Sequence, residues 1–139
     1  MQEYRGENTI KSFAEQIVEL KILADRWCEG KNKTNGLFLA KYQVLYVLSE
    51  GDFVAPKIII NKLGLAKSNL AIIAKELIKD GLIESKKDNQ NRREIYYCIT
   101  QKGRSELTKK LEQIEDQANN KQKKQIKTLE DAIKILEDF

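Results

Sequence analysis

Histidine is absent from the 139-residue sequence, which removes the usual general base, the Ser/His and Cys/His nucleophile pairs and the commonest zinc ligand. Metal sensing and most hydrolytic chemistry lose their usual residues with it. No nucleophile and base can be paired from what remains, so no catalytic residue, metal or cofactor is expected and the chain is not read as an enzyme. Gly30, Gly36, Gly51, Gly64, Gly81 and Gly103 each stand alone, which rules out a glycine-rich phosphate loop and leaves them as punctuation between elements. No apolar run approaches the roughly 18 residues of a membrane span. The N-terminus MQEYRGENTIKSF lacks a basic segment followed by an apolar one. A cytoplasmic protein with no membrane partner is the expectation. Only two cysteines occur, Cys28 and Cys98, and without an export signal both are expected as reduced thiols. Redox sensing by Cys28 has Arg26 in its favour and Asp25 and Glu29 against it.

What is present is the composition of a soluble helical protein: 41% hydrophobic, 33% charged, a single proline. The length fits one domain, residues 1–139. The formal charge of +4 is unevenly placed. Residues 57–104 hold 11 Lys or Arg against five acids, a net of +6, whereas the rest holds 14 basic against 16 acidic residues, a net of −2. A basic block confined to one stretch is the electrostatic footprint of a nucleic-acid binder, although a solvated Lys-rich surface has the same composition.

From Ile10 to Trp27 the apolar residues Ile10, Phe13, Ile17, Leu20, Ala24 and Trp27 recur at spacings of 3, 4, 3, 4 and 3. That period predicts a helix with a narrow apolar seam. Residues 30–36 read as a loop, and a second helix is predicted over Ala40–Ser49 with Val44, Leu45, Val47 and Leu48 inside, broken by Gly51 and Asp52. Pro56 suits the first position of a short third helix ending at Leu63, with Gly64 as its left-handed cap. A fourth helix is predicted from about Lys67 to Lys79. Leu82–Lys87 and Glu94–Thr100 then read as hairpin strands around DNQNRR, and Thr100 caps the next helix. That helix carries Leu107, Leu111, Ile114 and Ala118; after a break at Asn119 and Asn120, a last one carries Ile126, Leu129, Ile133 and Leu136. Helices with one narrow seam at both ends of so short a chain call for a second copy as cover, the alternative being that they pack on their own domain.

On a helical wheel of the fourth helix, Ala66, Leu70, Ile73, Ala74 and Leu77 gather on one side as core. Ser68, Ile72, Lys75 and Lys79 face the other way. Ser68 and Asn69 suit hydrogen bonds to base edges or phosphates, Lys67 and Lys75 supply charge, and Ile72 suits contact with a thymine methyl. No Arg lies on this face, so A·T-rich sequence or groove shape is the expected object of readout. Arg92 and Arg93 at the hairpin tip suit a narrow minor groove, and Asp88 suits a bidentate pair that holds one of them.

In these pieces, KYQVLYVL, LGLAKSNL, LIKDGLIE, DNQNRR and ITQKGR, the chain resembles the MarR family of bacterial transcriptional regulators. The resemblance is clearest from Leu39 to Leu107. It implies a mainly α fold with a small antiparallel β-hairpin wing: a winged helix-turn-helix lobe over residues 38–104, flanked by dimerisation helices over 8–30 and 105–139. Ile10, Phe13, Ile17, Leu20, Ile126, Leu129, Ile133 and Leu136 are then the seam residues of a homodimer. Lys67, Ser68, Asn69 and Lys75 match family positions on the reading helix, and Asp88, Arg92 and Arg93 match the wing. The family also implies a small, frequently aromatic ligand, for which Trp27, Phe38, Tyr42 and Tyr46 are candidate contacts, though aromatics at helical spacing also suit plain core. Departures from the pattern are Ala66 where a capping Ser or Thr is usual, Ala71 and Ile72 at positions often polar, Asn91 for the second wing acid, and Ile60 for a small residue. The expected function is a regulator that binds a palindromic A·T-rich site in double-stranded DNA. The alternative is a winged helix whose reading helix and wing face another protein.

Overall fold

A computed structural model of the chain describes residues 11–26, 39–90 and 94–138. The chain divides into two compact units, residues 1–36 and 37–139. The first contributes one helix, α1 (Phe13–Arg26). Its start is set by a reciprocal pair: the Glu15 amide donates to the Ser12 hydroxyl at 3.2 Å, and the Ser12 amide donates to the Glu15 carboxylate at 3.1 Å. Lys11 pairs with Glu19 and Lys21 with Asp25 along its surface.

The second unit runs α2 (Ala40–Ser49), α3 (Pro56–Leu63), α4 (Lys67–Lys79), β1 (Ile83–Lys87), β2 (Ile95–Ile99), α5 (Gln101–Gln117), α6 (Asn120–Lys123) and α7 (Ile126–Glu137). α2 is the hub. It packs against α3, α4, α5 and β2, and its Val44, Leu45 and Leu48 are fully buried. Pro56 opens α3, where its missing amide donor leaves nothing unsatisfied. Gly64 closes it at φ +65°, and its amide donates to the Ile60 carbonyl at 2.9 Å. Ile59 turns inward between these ends to join Leu70, Leu77 and Ile83 in the core.

The strands pair antiparallel from Ile83 against Ile99 to Lys87 against Ile95. A piece that no periodicity announces completes the sheet: Val54 forms an isolated bridge to Tyr97, with reciprocal amide-to-carbonyl bonds of 2.9 Å. β2 is therefore the middle member, and the loop after α2 is sewn to it.

α5 starts at a joint rather than a loop. Thr100 Oγ1 accepts from the Gly103 amide at 3.0 Å and donates to the Gly81 carbonyl at 2.7 Å, so one hydroxyl caps α5 and ties it to the end of α4. Replacing Thr100 by Ala should cost about 1–2 kcal/mol in a urea unfolding midpoint; a shift below about 0.3 kcal/mol would remove this hydroxyl from the joint. Beyond α5, Ala118 ends the helix in extended backbone. Asn119 then caps the single turn of α6 with a full capping box to Gln122, so the break expected at Asn119 and Asn120 falls at Ala118 and Asn119, and Asn120 opens a further helical turn.

Candidate nucleic-acid interface

α4 is held by Leu70, Ala74 and Leu77, which are buried, while Ile73 packs at the edge of the core. Ala66 is not core. It is the N-cap, exposed, and its methyl offers no acceptor, so the first amides of α4 have no side-chain cap. With the inner stripe fixed, Lys67, Ser68, Asn69, Ala71, Ile72, Lys75 and Lys79 are all exposed. Glu76 is exposed as well, one turn beyond Ile72, and the wheel of apolar residues gave no reason to single it out.

The basic block divides by use. Lys57, Lys62, Lys67, Lys75, Lys79 and Lys87 form no ion pair among the described residues. Lys86 sits over the Phe53 ring, its Nζ 5.3 Å from the centroid. Two of the cations counted in the block serve the fold instead: Lys102 Nζ donates to the Asp80 carbonyl at 2.9 Å and Arg104 Nη1 to the Ser49 carbonyl at 3.4 Å. Both lie at carboxyl ends of helices, α4 and α2, where the backbone dipole favours a cation.

At the hairpin, the Asp88 amide donates to the Glu94 carbonyl at 3.0 Å and closes the ladder. Asp88 Oδ1 accepts from the Gln90 amide at 3.0 Å, so this carboxylate shapes the turn. Asn91, Arg92 and Arg93 lie outside the described residues, as does any pair between Asp88 and an arginine. On β2, the Tyr96 hydroxyl donates to Glu94 Oε2 at 3.2 Å. That hydrogen bond and the carboxylate's charge raise the phenol's pKa above its ordinary value, and burial raises that of Tyr97. Both phenols stay protonated at neutral pH, which keeps Tyr96 a donor to Glu94.

Between α3, the first turn of α4 and β2 opens a groove of about 700 Å³, with Pro56, Lys57, Ile60, Lys67, Ala71 and Tyr96 in its lining. Of the aromatics considered as ligand contacts, Tyr42 is buried in the core with Lys41 and Lys110 over its ring at 5.1 and 5.2 Å, and Tyr46 is half exposed. Neither lines this groove, and Trp27 and Phe38 lie outside the described residues. Cys98 is a free thiol 4.0 Å from Glu84 Oε2; Cys28 also lies outside.

The seam residues are exposed within each unit. On α1, Phe13 and Leu20 are open and Ile17 half-buried; Ile10 lies outside the described residues. On α7, Ile126, Leu129, Ile133 and Leu136 retain 55%, 60%, 54% and 44% exposure, an uncovered apolar row with Ile135 beside it. No helix among the described residues is long and apolar enough to cross a membrane.

The winged helix DNA-binding domain family matches residues 40–117. Among solved structures, the multiple antibiotic resistance repressor MarR superposes with a TM-score of 0.71, at 17% identity over 93% of this chain and 97% of its own. Reduced AbfR, solved bound to DNA, gives 0.59 at 22% identity over 88% of this chain and 90% of its own. BpsR of Bordetella bronchiseptica, whose DNA binding is regulated by 6-hydroxynicotinic acid, gives 0.62 at 18% identity over 86% of this chain and 98% of its own. At such identities the likeness is one of fold, and the fold is MarR-like. No curated protein matches the chain in sequence.

Proposed function

Because this chain belongs to the winged helix DNA-binding domain family, we propose that it is a transcriptional regulator that binds a palindromic, A·T-rich site as a homodimer. The observation that carries this reading is the outer face of α4: Ser68, Ile72 and Lys75 project together, with Lys67 and Asn69 exposed on its flanks, from a helix whose inner stripe is locked in the core. Its lysines have no carboxylate partner among the described residues. Lysines held unpaired beside an uncapped helix start suit phosphate oxygens, and the side chains between them suit base edges. Arg92 and Arg93 enter the flanking minor groove. The lobe is residues 38–104, and the helices of 8–30 and 105–139 join two copies. Two reading helices in successive major grooves set half-sites about one helical turn apart.

Release by a small aromatic ligand belongs to the same reading. The groove beside Lys67 is large enough for one, and an occupant there lies against the helix that must enter the DNA.

The test is a mobility-shift titration on the DNA flanking the protein's own gene. Binding should prefer one sequence and weaken steeply with salt, and its absence would sink the proposal. Lys67→Ala with Lys75→Ala should flatten the salt dependence by about one unit of slope per lost phosphate contact. Arg92→Ala with Arg93→Ala should weaken binding roughly tenfold or more; unchanged affinity removes the wing from the mechanism.

A further inference from the structure

We infer that the sequence preference is carried by thymine C5-methyl groups read by Ile72, rather than by groove shape. This rests on the DNA-binding reading above and goes further, since it decides between the thymine methyl and groove shape as the object of readout. Ile72 retains 67% exposure, more than any other large apolar residue among the described ones. Leu70 and Ala74, two residues to either side and buried, leave α4 no rotation that would hide it. Ala71 beside it is exposed too, so the outward face has an aliphatic centre ringed by Ser68, Lys75, Glu76 and Lys79, two cations against one carboxylate.

The unpaired lysines in that ring select a polyanion, whereas a protein surface that covered the isoleucine would have to supply carboxylates around an apolar spot. In the major groove the thymine methyl is the one apolar projection among the base edges; every G·C pair presents polar atoms there. An aliphatic side chain pressed on those atoms would strand them without partners, so the same contact that attracts T repels G·C. Isoleucine is β-branched and holds essentially one χ1 rotamer in a helix, so its methyls are positioned before the DNA arrives. α4 contains no arginine, the usual bidentate reader of guanine, and Asn69 is its one side-chain amide.

The experiment uses a duplex that the full-length protein selects from a random pool. Thymines of the half-sites are replaced by deoxyuridine, which removes the methyl and leaves the pairing and the phosphates intact. Each methyl buried contributes about a fourfold gain, so one per half-site predicts a loss of about tenfold or more for the wild type. 5-Bromouracil, whose bromine is close to a methyl in size, should restore binding to within about twofold. Ile72→Ala should bind the T and U duplexes about equally, closing the cycle on one side chain. The inference is overturned by a wild type indifferent to uracil, and equally by an Ile72→Ala variant that keeps the full preference for T, because the methyl would then act through shape or another residue. If no duplex can be selected at all, the DNA-binding reading falls and takes this one with it; that failure appears at the selection step, before any uracil is introduced.

Discussion

Gly103→Ala is expected to destabilise the lobe by at least about 3 kcal/mol, as measured by the urea midpoint. A Cβ at this position would lie 2.1 Å from the Leu82 carbonyl oxygen and 2.7 Å from Ile99 Cγ1. The first of these is backbone and cannot swing aside. Leu82 is itself pinned at both ends, its amide on the Leu77 carbonyl at 2.9 Å and its carbonyl accepting from the Thr100 amide at 3.0 Å. Relief of the clash must therefore break the turn after α4 or lift α5 off the sheet, and either loses several hydrogen bonds and the burial of Leu107. A variant that unfolds within about 1 kcal/mol of the wild type would mean that α5 does not start against the Leu82 carbonyl.

The second large effect is on assembly. Leu129→Asp together with Ile133→Asp should give a chain of monomer mass by light scattering, with DNA affinity reduced more than about a hundredfold because the two half-sites are no longer bound by linked readers. Both side chains are more than half exposed in the single chain, so its own folding should change little. Dimer mass in the double variant would separate the α7 seam from the interface.

Apart from the single turn of α6, the helices among the described residues were legible because they are written in short-range signals. Pro56 and Gly64 bracket α3, and the buried set Val44, Leu45, Val47 and Leu48 falls where the pattern of α2 places it. The hairpin strands lie within a residue of the expected bounds. What escaped is either too short to be periodic or too distant to be local. Val54 meets Tyr97 through a single bridge, which has no repeat to detect. Lys102 and Arg104 counted as surface charge because nothing nearby reveals that they reach carbonyls 22 and 55 residues upstream. Ala66 joined the core on the wheel, yet a wheel does not know where a helix begins, and the cap residue sits outside it. On α4, Ser68, Ile72 and Lys75 fall on one face by their spacing and are exposed, with Lys67 and Asn69 exposed on its two flanks. The groove beside them draws residues from three elements distant in sequence, which no single motif encodes.

The first turn of α5 holds the carboxyl ends of α2 and α4 with Lys102 and Arg104, and Thr100 adds a third fastening at Gly81. α5 spans 17 residues, a rod of about 25 Å. Mechanically this is a lever with its fulcrum bolted to α4. A sideways displacement of about 3 Å at the far end turns the near end by roughly 7°, so a load on the distal turns of α5 is delivered to α4 and α2 through its first turn.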